Sequence, residues 1–171
     1  MTRKGVWDLQ EVRDKYLDSA WVNTGSIFSW GTGDYGQLGA SIVPSRSSPI
    51  QLSGDWNAVG GHNFGGSGIK SDGTLWSWGF NTDGQLGLNT TQEAVYAASQ
   101  IGTDTDWSIC CKCKSKFQYF IKTDGTLYTT GNNQNGRLGI SDDTYRSSPT
   151  QLPGTWKTIG SGQAGAHGIK T

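Results

Sequence analysis

The sequence predicts an all-β fold made of β-propeller blades of about fifty residues each. The first observation is repetition, since residues 69–87 read IKSDGTLWSWGFNTDGQLG and residues 121–139 read IKTDGTLYTTGNNQNGRLG. The second is composition, because 26 glycines and eight tryptophans among 171 residues favour a turn-rich β fold over a helical one. A single unit of this kind cannot bury both faces of its sheet, so the units must stack on one another.

Three kinds of residue recur at intervals of about fifty positions. They are glycines that close a strand, leucines in tetrapeptides such as Gly-Gln-Leu-Gly, and tryptophans at a third marker position. These residues are Gly31, Gly79 and Gly131; Leu38, Leu86 and Leu138; and Trp56, Trp107 and Trp156. The period divides residues 26–171 into roughly three blades, at about 26–74, 75–126 and 127–171. Because the last repeat stops half-way through a hairpin, we expect the native chain to continue beyond residue 171.

Each repeat is predicted to fold around a hairpin at an Asp-Gly pair. Asp-Gly between two strand-like runs is the strongest short hairpin signal, and a two-residue type I′ turn requires positive φ at both positions. Trp76 and Trp78 share one face of the strand that follows, so we expect them to fill the gap between blades. The repeat-defining residues are Gly31, Asp72, Gly73, Trp76, Trp78, Gly79, Leu86, Asp124, Gly125, Gly131 and Leu138.

These motifs resemble the repeat of the regulator of chromosome condensation family. The matching segments are DGTLWSWG from Asp72 and GQLG from Gly84, and in the next copy DGTLY from Asp124 and GRLG from Gly136. The resemblance covers residues 26–171 and implies a β-propeller. It also implies a soluble interaction module, whose partner in this family is a small GTPase, chromatin, or an enzyme that the propeller inhibits.

Residues 1–25 stand apart from the repeats. Apolar positions at three- and four-residue steps predict a short amphipathic helix, which is too short to be stable alone and must dock on something. The candidate contact residues are Val6, Trp7, Leu9, Val12, Tyr16, Leu17 and Trp21. Two interpretations stay open: the segment caps the first blade of its own chain, or it attaches the chain to another subunit. The sequence of this segment resembles the N-terminal leaders of structural proteins from tailed bacteriophages.

Two functions follow from these interpretations. The leading hypothesis is a non-enzymatic structural component of a bacteriophage virion, such as a tail fibre, adaptor or capsid decoration on the virion exterior. Residues 1–25 would then contact other virion or scaffold proteins, with a host-surface receptor and a second copy of the chain as further candidate partners. The alternative is a soluble, cytoplasmic interaction propeller that resembles a GTPase regulator, a chromatin-binding protein or an enzyme inhibitor.

Composition and motifs argue against several other classes of function. No G-x-S-x-G, H-E-x-x-H or phosphate-loop motif occurs, so we expect neither an enzyme nor a cofactor. Fourteen basic and fourteen acidic side chains give no net field for nucleic acid, and no apolar run is long enough to insert into a membrane. Cys110, Cys111 and Cys113 lack a second cysteine pair for zinc and are interpreted as free thiols, with Cys110 facing away from the other two.

Overall fold

The computed structural model describes residues 25–41 and 45–171 of the chain. The described residues form eleven strands and one 3-10 turn, which confirms the all-β prediction. The strands are β1 Phe28–Gly31, β2 Arg46–Gln51, β3 Trp56–His62, β4 Gly65–Lys70, β5 Leu75–Phe80, β6 Ala94–Gln100, β7 Trp107–Cys110, β8 Phe117–Lys122, β9 Thr126–Gly131, β10 Arg146–Ser161 and β11 Ala166–Lys170; the turn is Gln134–Gly136. The predicted N-terminal helix lies outside the described residues, together with the contact residues Val6, Trp7, Leu9, Val12, Tyr16, Leu17 and Trp21.

The strands pair in antiparallel sheets that define the blades. One sheet has the order β3-β4-β5-β6, another has β7-β8-β9-β10-β11, and β1 pairs with β2. Strand β10 is 16 residues long and takes part in two blades. Its residues from Arg146 to Thr155 pair with β9, whereas those from Trp156 to Ser161 pair with β11. The described residues therefore hold two complete four-stranded blades between two half-blades.

We number the blades in chain order. Blade 1 is represented by its third and fourth strands, β1 and β2, and blade 2 consists of β3 to β6. Blade 3 consists of β7, β8, β9 and the first part of β10. Blade 4 is represented by its first two strands, the second part of β10 and β11. The sequence repeat at residues 75–126 therefore contains the last two strands of blade 2 and the first two strands of blade 3.

The Asp-Gly hairpins form where the sequence predicts them, but their turn type differs from the prediction. Gly73 has φ +80° and donates its N–H to the carbonyl oxygen of Lys70 at 3.0 Å, while Asp72 is not among the residues with positive φ. Gly125 has φ +83° in the next copy. The loop is therefore a three-residue turn with glycine in the left-handed position, and the predicted two-residue type I′ turn is wrong. The reason is the Asp72 carboxylate, which accepts hydrogen bonds from the Thr74 N–H at 3.0 Å and hydroxyl at 2.6 Å.

The core consists of three apolar clusters, one between each pair of consecutive blades. Leu52, Trp56 and Trp78 lie between blades 1 and 2. Ile69, Leu75, Ile101, Trp107, Cys110 and Phe120 lie between blades 2 and 3. Cys111, Cys113, Phe117, Tyr119, Ile121, Leu127, Leu138 and Leu152 lie between blades 3 and 4. Burial of each large side chain contributes about 1.5–3 kcal/mol, so the blades are stabilised mainly by stacking.

Candidate functional site

The loops at one end of the blades form the surface that we call the loop face. Consecutive strands are antiparallel, so the loop between the first and second strands leaves a blade at the same end as the loop between the third and fourth. In blade 2 these loops are residues 63–64 and 81–93, and in blade 3 they are residues 111–116 and 132–145. The loops that follow the third strands and the lysine-rich segment of blade 3 therefore share one face.

An aromatic triad lies on this face, at the junction of blades 1 and 2. It consists of Tyr35, Phe64 and Phe80. The ring centre of Tyr35 is 5.7 Å from that of Phe64 and 5.2 Å from that of Phe80, and the rings of Phe64 and Phe80 are 6.3 Å apart. All three pairs meet edge to face, which is a favourable aromatic geometry. Tyr35 is 37% exposed and Phe64 is 48% exposed, so the triad presents aromatic surface to solvent.

The junction of blades 2 and 3 carries polar residues at the same three places, namely Asp83, Lys116 and Asn132. Backbone hydrogen bonds establish the equivalence. Phe80 donates its N–H to the carbonyl oxygen of Phe64 at 2.9 Å, and Asn132 donates to that of Lys116 at 2.8 Å. Tyr35 and Asp83 each donate their N–H to the side chain of the glutamine two residues later, at 2.8 and 3.0 Å. The loops therefore share these backbone hydrogen bonds but carry different side chains.

Polar contacts hold the second junction together. The Asn132 amide donates to the Asp83 carboxylate at 2.8 Å, and the Lys116 ammonium lies 3.7 Å from the same carboxylate. The Lys116 ammonium also lies 5.0 Å from the ring centre of Phe80, so the polar set adjoins the aromatic triad. Because polar residues fill this position between two complete blades, blade packing does not require aromatic residues there. The exposed rings at the first junction are therefore available to bind.

Phe64 has a backbone conformation that is unusual for a bulky residue. Its φ is +60°, in the left-handed region, whereas Lys116 at the equivalent place is not among the residues with positive φ. Such a conformation costs on the order of 1–3 kcal/mol and persists only where the surrounding structure holds it. The tight loop between β3 and β4 provides that hold, because His62 and Gly65 pair with each other on either side of Asn63 and Phe64. Strain of this kind clusters at binding sites, which agrees with the exposure of the ring.

A groove with a buried histidine adjoins the triad. Phe28, Trp30, His62 and Phe64 line it, so Phe64 belongs to both features. Burial lowers the pKa of His62 to about 4, and its imidazole is therefore neutral at neutral pH. Nδ1 lies 2.9 Å from the carbonyl oxygen of Asn63, while Nε2 has no hydrogen-bond partner among the described residues. If Nδ1 carries the proton that it donates to this carbonyl, Nε2 is an acceptor.

A lysine-rich loop lies beside Phe64. Lys112 and Lys114 are exposed, and they alternate with buried cysteines in the loop that joins β7 to β8. The loop contacts blade 2 through the Asn63 N–H, which donates to the carbonyl oxygen of Ser115 at 3.3 Å. The loop face thus combines exposed rings with a basic margin.

The three cysteines are buried free thiols, as predicted. Cys110 lies in the cluster between blades 2 and 3, and Cys111 and Cys113 lie in the next one, as the strand alternation predicts. Burial raises the pKa of Cys110 to about 12, and a hydrogen bond from the Cys113 thiol lowers the pKa of Cys111. Among residues 25–41 and 45–171, no group of three or more His, Cys, Asp or Glu side chains could hold a metal ion.

The repeat-defining residues lie in turns and in the core. Gly31, Gly79 and Gly131 have φ values of +105°, +106° and +100°, and Leu86 and Leu138 are fully buried. No member of the aromatic triad is among the repeat-defining residues. The signal that reveals the triad is a departure from the repeat. Tyr35, Phe64 and Phe80 are aromatic where the following copy has Asp83, Lys116 and Asn132.

The repeats match a known family. A model of the Regulator of chromosome condensation (RCC1) repeat matches residues 24–59, 72–97 and 124–165, which make up more than half of the chain. The chain belongs to this repeat family. The prediction from the Asp-Gly-Thr-Leu and Gly-Gln-Leu-Gly motifs is thereby confirmed, and the protein is a propeller of the RCC1 repeat family.

Several curated members of the RCC1 repeat family are similar to the chain. The human E3 ubiquitin-protein ligase HERC2 is 29% identical over 141 residues, covering 76% of this chain and 3% of the relative. The secretion-regulating guanine nucleotide exchange factor of Bos taurus is 30% identical over 123 residues, covering 67% and 26%. The ultraviolet-B receptor UVR8 of Arabidopsis thaliana is 25% identical over 137 residues, covering 74% and 30%. The chain therefore spans less than a third of each of these relatives.

Solved structures of RCC1-like proteins share the fold. Human WBSCR16 superposes with a TM-score of 0.75 at 22% identity, covering 86% of this chain and 40% of that protein. Prp20p from Saccharomyces cerevisiae gives a TM-score of 0.75 at 15% identity with the same coverage, and its structure is described together with its binding to Gsp1p and histones. None of these five proteins is named as a virion component, so the bacteriophage hypothesis receives no support from them.

No helix among the described residues is long and apolar enough to cross a membrane.

Proposed function

We propose that the protein is a non-enzymatic interaction propeller that binds a partner protein through the aromatic triad on its loop face. The observation that carries the proposal is the pair of equivalent junctions. One has the polar set Asp83, Lys116 and Asn132, and the other has half-exposed rings at the same places. Rings that the fold does not need, on a surface that the fold leaves open, are typical of binding hot spots.

The chemistry of the loop face indicates what the partner contributes. Tyr35, Phe64 and Phe80 form an apolar centre, and Lys116 with the exposed Lys114 forms a charged margin. Protein interfaces commonly have an aromatic centre and a polar rim that excludes water. A partner segment with an apolar side chain for the centre and carboxylates for the margin therefore fits this surface.

The relatives support an interaction module over a virion component. The description of Prp20p names binding to Gsp1p and histones, and a second yeast structure contains Kap60 bound to the same protein. We therefore favour the soluble interaction propeller, with a cytoplasmic location and a partner such as a GTPase, over the virion exterior. A GTPase regulator, a chromatin-binding protein and an enzyme inhibitor are all consistent with this proposal, and the charge balance of fourteen against fourteen favours a protein partner over nucleic acid.

The experiment that tests the proposal transfers the polar junction onto the aromatic one. The triple variant Tyr35→Asp, Phe64→Lys, Phe80→Asn copies the residues that the junction of blades 2 and 3 accommodates with equivalent backbone hydrogen bonds. Tagged wild-type and variant chains are compared for proteins that they retain from an extract of the source cells. We expect retention of the specific partner to fall at least about tenfold, because loss of a hot spot costs about 2 kcal/mol or more.

The matched control is Tyr145→Asp, which changes another exposed aromatic residue outside the triad. It should leave retention unchanged. Equal retention by the triple variant and the wild type, with both folded, would contradict the proposal.

A further inference from the structure

In blades 2 and 3 a lysine lies over the marker tryptophan of its blade. Lys70 pairs in register with Trp56, and Lys122 pairs with Trp107 in the same way. The ammonium of Lys70 lies 5.3 Å from the centre of the Trp56 ring, and that of Lys122 lies 5.1 Å from the Trp107 ring. The second strand of blade 2 ends at Lys70, next to the Asp-Gly turn. These lysines are therefore at the opposite end of the blades from the loop face.

In blade 3 the chain supplies its own carboxylates for this lysine. The Lys122 ammonium lies 2.7 Å from the Asp104 carboxylate and 3.0 Å from that of Asp106. Both aspartates belong to residues 102–106, which join the last strand of blade 2 to the first strand of blade 3. Bonds between an ammonium and a carboxylate are among the stronger hydrogen bonds in proteins. The place beside Lys122 is therefore occupied by the protein itself.

The equivalent place beside Lys70 has no such occupant among the described residues. The connection from blade 1 to blade 2 is the three residues Ser-Gly-Asp at 53–55, where blade 3 has the five residues Gly-Thr-Asp-Thr-Asp. Asp55 precedes its marker tryptophan as Asp106 does, yet Lys70 forms no ion pair with any described carboxylate. A Cβ on Gly54 would lie 3.5 Å from Lys70 Nζ, so the glycine leaves the ammonium uncovered.

A pocket of about 270 Å³ opens at Lys70. Trp56 and Trp76 line it with the lysine, together with small side chains of blades 1 and 2. The ammonium lies 3.5 Å from the centre of the Trp76 ring, and this cation–π contact fixes its position. The indole Nε1 of Trp56 has no partner within the described part of the chain, and the same is true of Trp107. What distinguishes the pocket from its copy in blade 3 is therefore the missing carboxylate.

Blade 4 has the lysine but only one of the two rings. Lys170 lies over Trp156 at 4.7 Å and also forms no ion pair within residues 25–41 and 45–171. No second ring flanks it in this part of the chain, whereas Lys70 has both Trp56 and Trp76. Blade 2 thus combines two aromatic walls, an unpaired ammonium and an open pocket.

We propose that the pocket at Lys70 binds a carboxylate side chain of an acidic peptide segment. The copy in blade 3 shows the chemistry, because an aspartate on a peptide loop there reaches an ammonium that lies between two rings. In the pocket, Lys70 donates charge-assisted hydrogen bonds to the carboxylate, and the walls of Trp56 and Trp76 keep water from weakening them. The site lies at the other end of the blades from the aromatic triad, so it does not depend on the proposed function.

A peptide copied from residues 102–106, acetyl-Gly-Thr-Asp-Thr-Asp-amide, is the probe. It is titrated into the full ¹⁵N-labelled chain, and the indole N–H resonances of Trp56 and Trp76, assigned with Trp56→Phe and Trp76→Phe, report binding at the pocket. We expect both resonances to shift until the site is saturated. The peptide with asparagine in place of both aspartates should bind at least about tenfold more weakly, because it lacks the charge. Equal affinities of the two peptides overturn the proposal.

Two variants connect the binding to the pocket. Lys70→Gln should weaken it at least about tenfold, whereas the exposed control Lys157→Gln should leave it unchanged. Replacing residues 53–55 by Gly-Thr-Asp-Thr-Asp keeps Lys70 but fills the pocket, and should abolish binding. An unshifted indole resonance of Trp107 reports an intact fold. Unchanged binding by Lys70→Gln or by the loop replacement contradicts the proposal. Acetate that binds as tightly as the peptide also contradicts it, because the pocket would then take free carboxylates.

Discussion

Phe64 and Lys116 occupy the same position in consecutive blades, and their backbone carbonyls accept equivalent hydrogen bonds at 2.9 and 2.8 Å. The side chains nevertheless do different things. Lys116 pairs with the Asp83 carboxylate, whereas Phe64 turns a half-exposed ring toward solvent beside Tyr35. A repeat protein offers this internal comparison because each blade is a control for its neighbour. The two positions therefore accept equivalent hydrogen bonds but differ in their side chains and in what those side chains contact.

The first prediction concerns the stability of the transferred junction. The variant Tyr35→Asp, Phe64→Lys, Phe80→Asn should lose no more than about 2 kcal/mol in free energy of unfolding, because the lost rings are partly exposed and new polar contacts replace them. Chemical denaturation measures this quantity. For comparison, Trp78→Ala removes a ring that is 3% exposed and should cost about 3–5 kcal/mol. A similar loss in both variants would mean that the triad is part of the core.

The second prediction concerns pH and His62. Burial lowers the pKa of His62 from 6.5 to about 4, so the unfolded chain binds this proton before the folded chain does. The stability that the neutral imidazole contributes is present above pH 6.5 and is lost as the pH falls toward 4. The loss should reach about 3 kcal/mol by the shift of the pKa. Denaturation of His62→Gln should lack this dependence, whereas the exposed control His167→Gln should retain it. An unchanged pH profile in His62→Gln would contradict the assignment.

The third prediction distinguishes two reasons why a position requires glycine, namely a positive φ and a close approach of neighbouring atoms. A Cβ on Gly73 would overlap the carbonyl oxygen of Thr105, and Gly73 also has φ +80°. Gly102 has φ +62° but open space around it. Gly102→Ala should therefore cost about 1–2 kcal/mol from the left-handed backbone alone. Gly73→Ala should cost clearly more, as measured by thermal unfolding, since a loop between blades must also move. Equal costs would show that close approach is unimportant at the Asp-Gly turn.

The fourth prediction concerns the buried asparagine of the loop after β5. Asn81 is 0% exposed; its amide donates to the Thr90 carbonyl oxygen at 2.9 Å, and its oxygen accepts the Leu86 N–H at 3.0 Å. Asn81→Ala leaves both backbone groups unpaired and should cost about 2–4 kcal/mol, measured by urea denaturation. Asn57→Ala changes an exposed asparagine and should cost less than about 0.5 kcal/mol. Comparable values for the two variants would contradict this role.

Much of the fold could be predicted from the sequence because the repeat carries it. The Asp-Gly pairs locate the hairpins, and the spacing of Trp56, Trp107 and Trp156 gives a period that only stacked sheets explain. The turn type escaped the prediction because it depends on the Asp72 carboxylate, which bonds to Thr74 and favours a longer loop. The sequence also did not predict that β10 pairs with β9 in blade 3 and with β11 in blade 4, because strand pairing and not local sequence decides where one blade ends.

The candidate site could not be predicted by motif. The pairing of β4 with β5 brings the rings of Phe64 and Phe80 to 6.3 Å within blade 2, and the stacking of blade 1 on blade 2 then adds the ring of Tyr35. Repeat analysis draws attention to what recurs, whereas this site consists of residues that do not.

The most direct test of the central claim is site-specific photo-crosslinking from the loop face. The photoreactive p-benzoylphenylalanine, a phenylalanine with an added benzoyl group, replaces the half-exposed Phe64 or, as an exposed control outside the triad, Tyr145. Each full-length protein is irradiated in an extract of the source cells, and the products are identified by mass spectrometry. We expect one dominant crosslinked protein from position 64, absent from position 145 and lost when Tyr35→Asp and Phe80→Asn are added. Position 64 giving no product, or the same products as position 145, would contradict a partner-binding role for the aromatic triad.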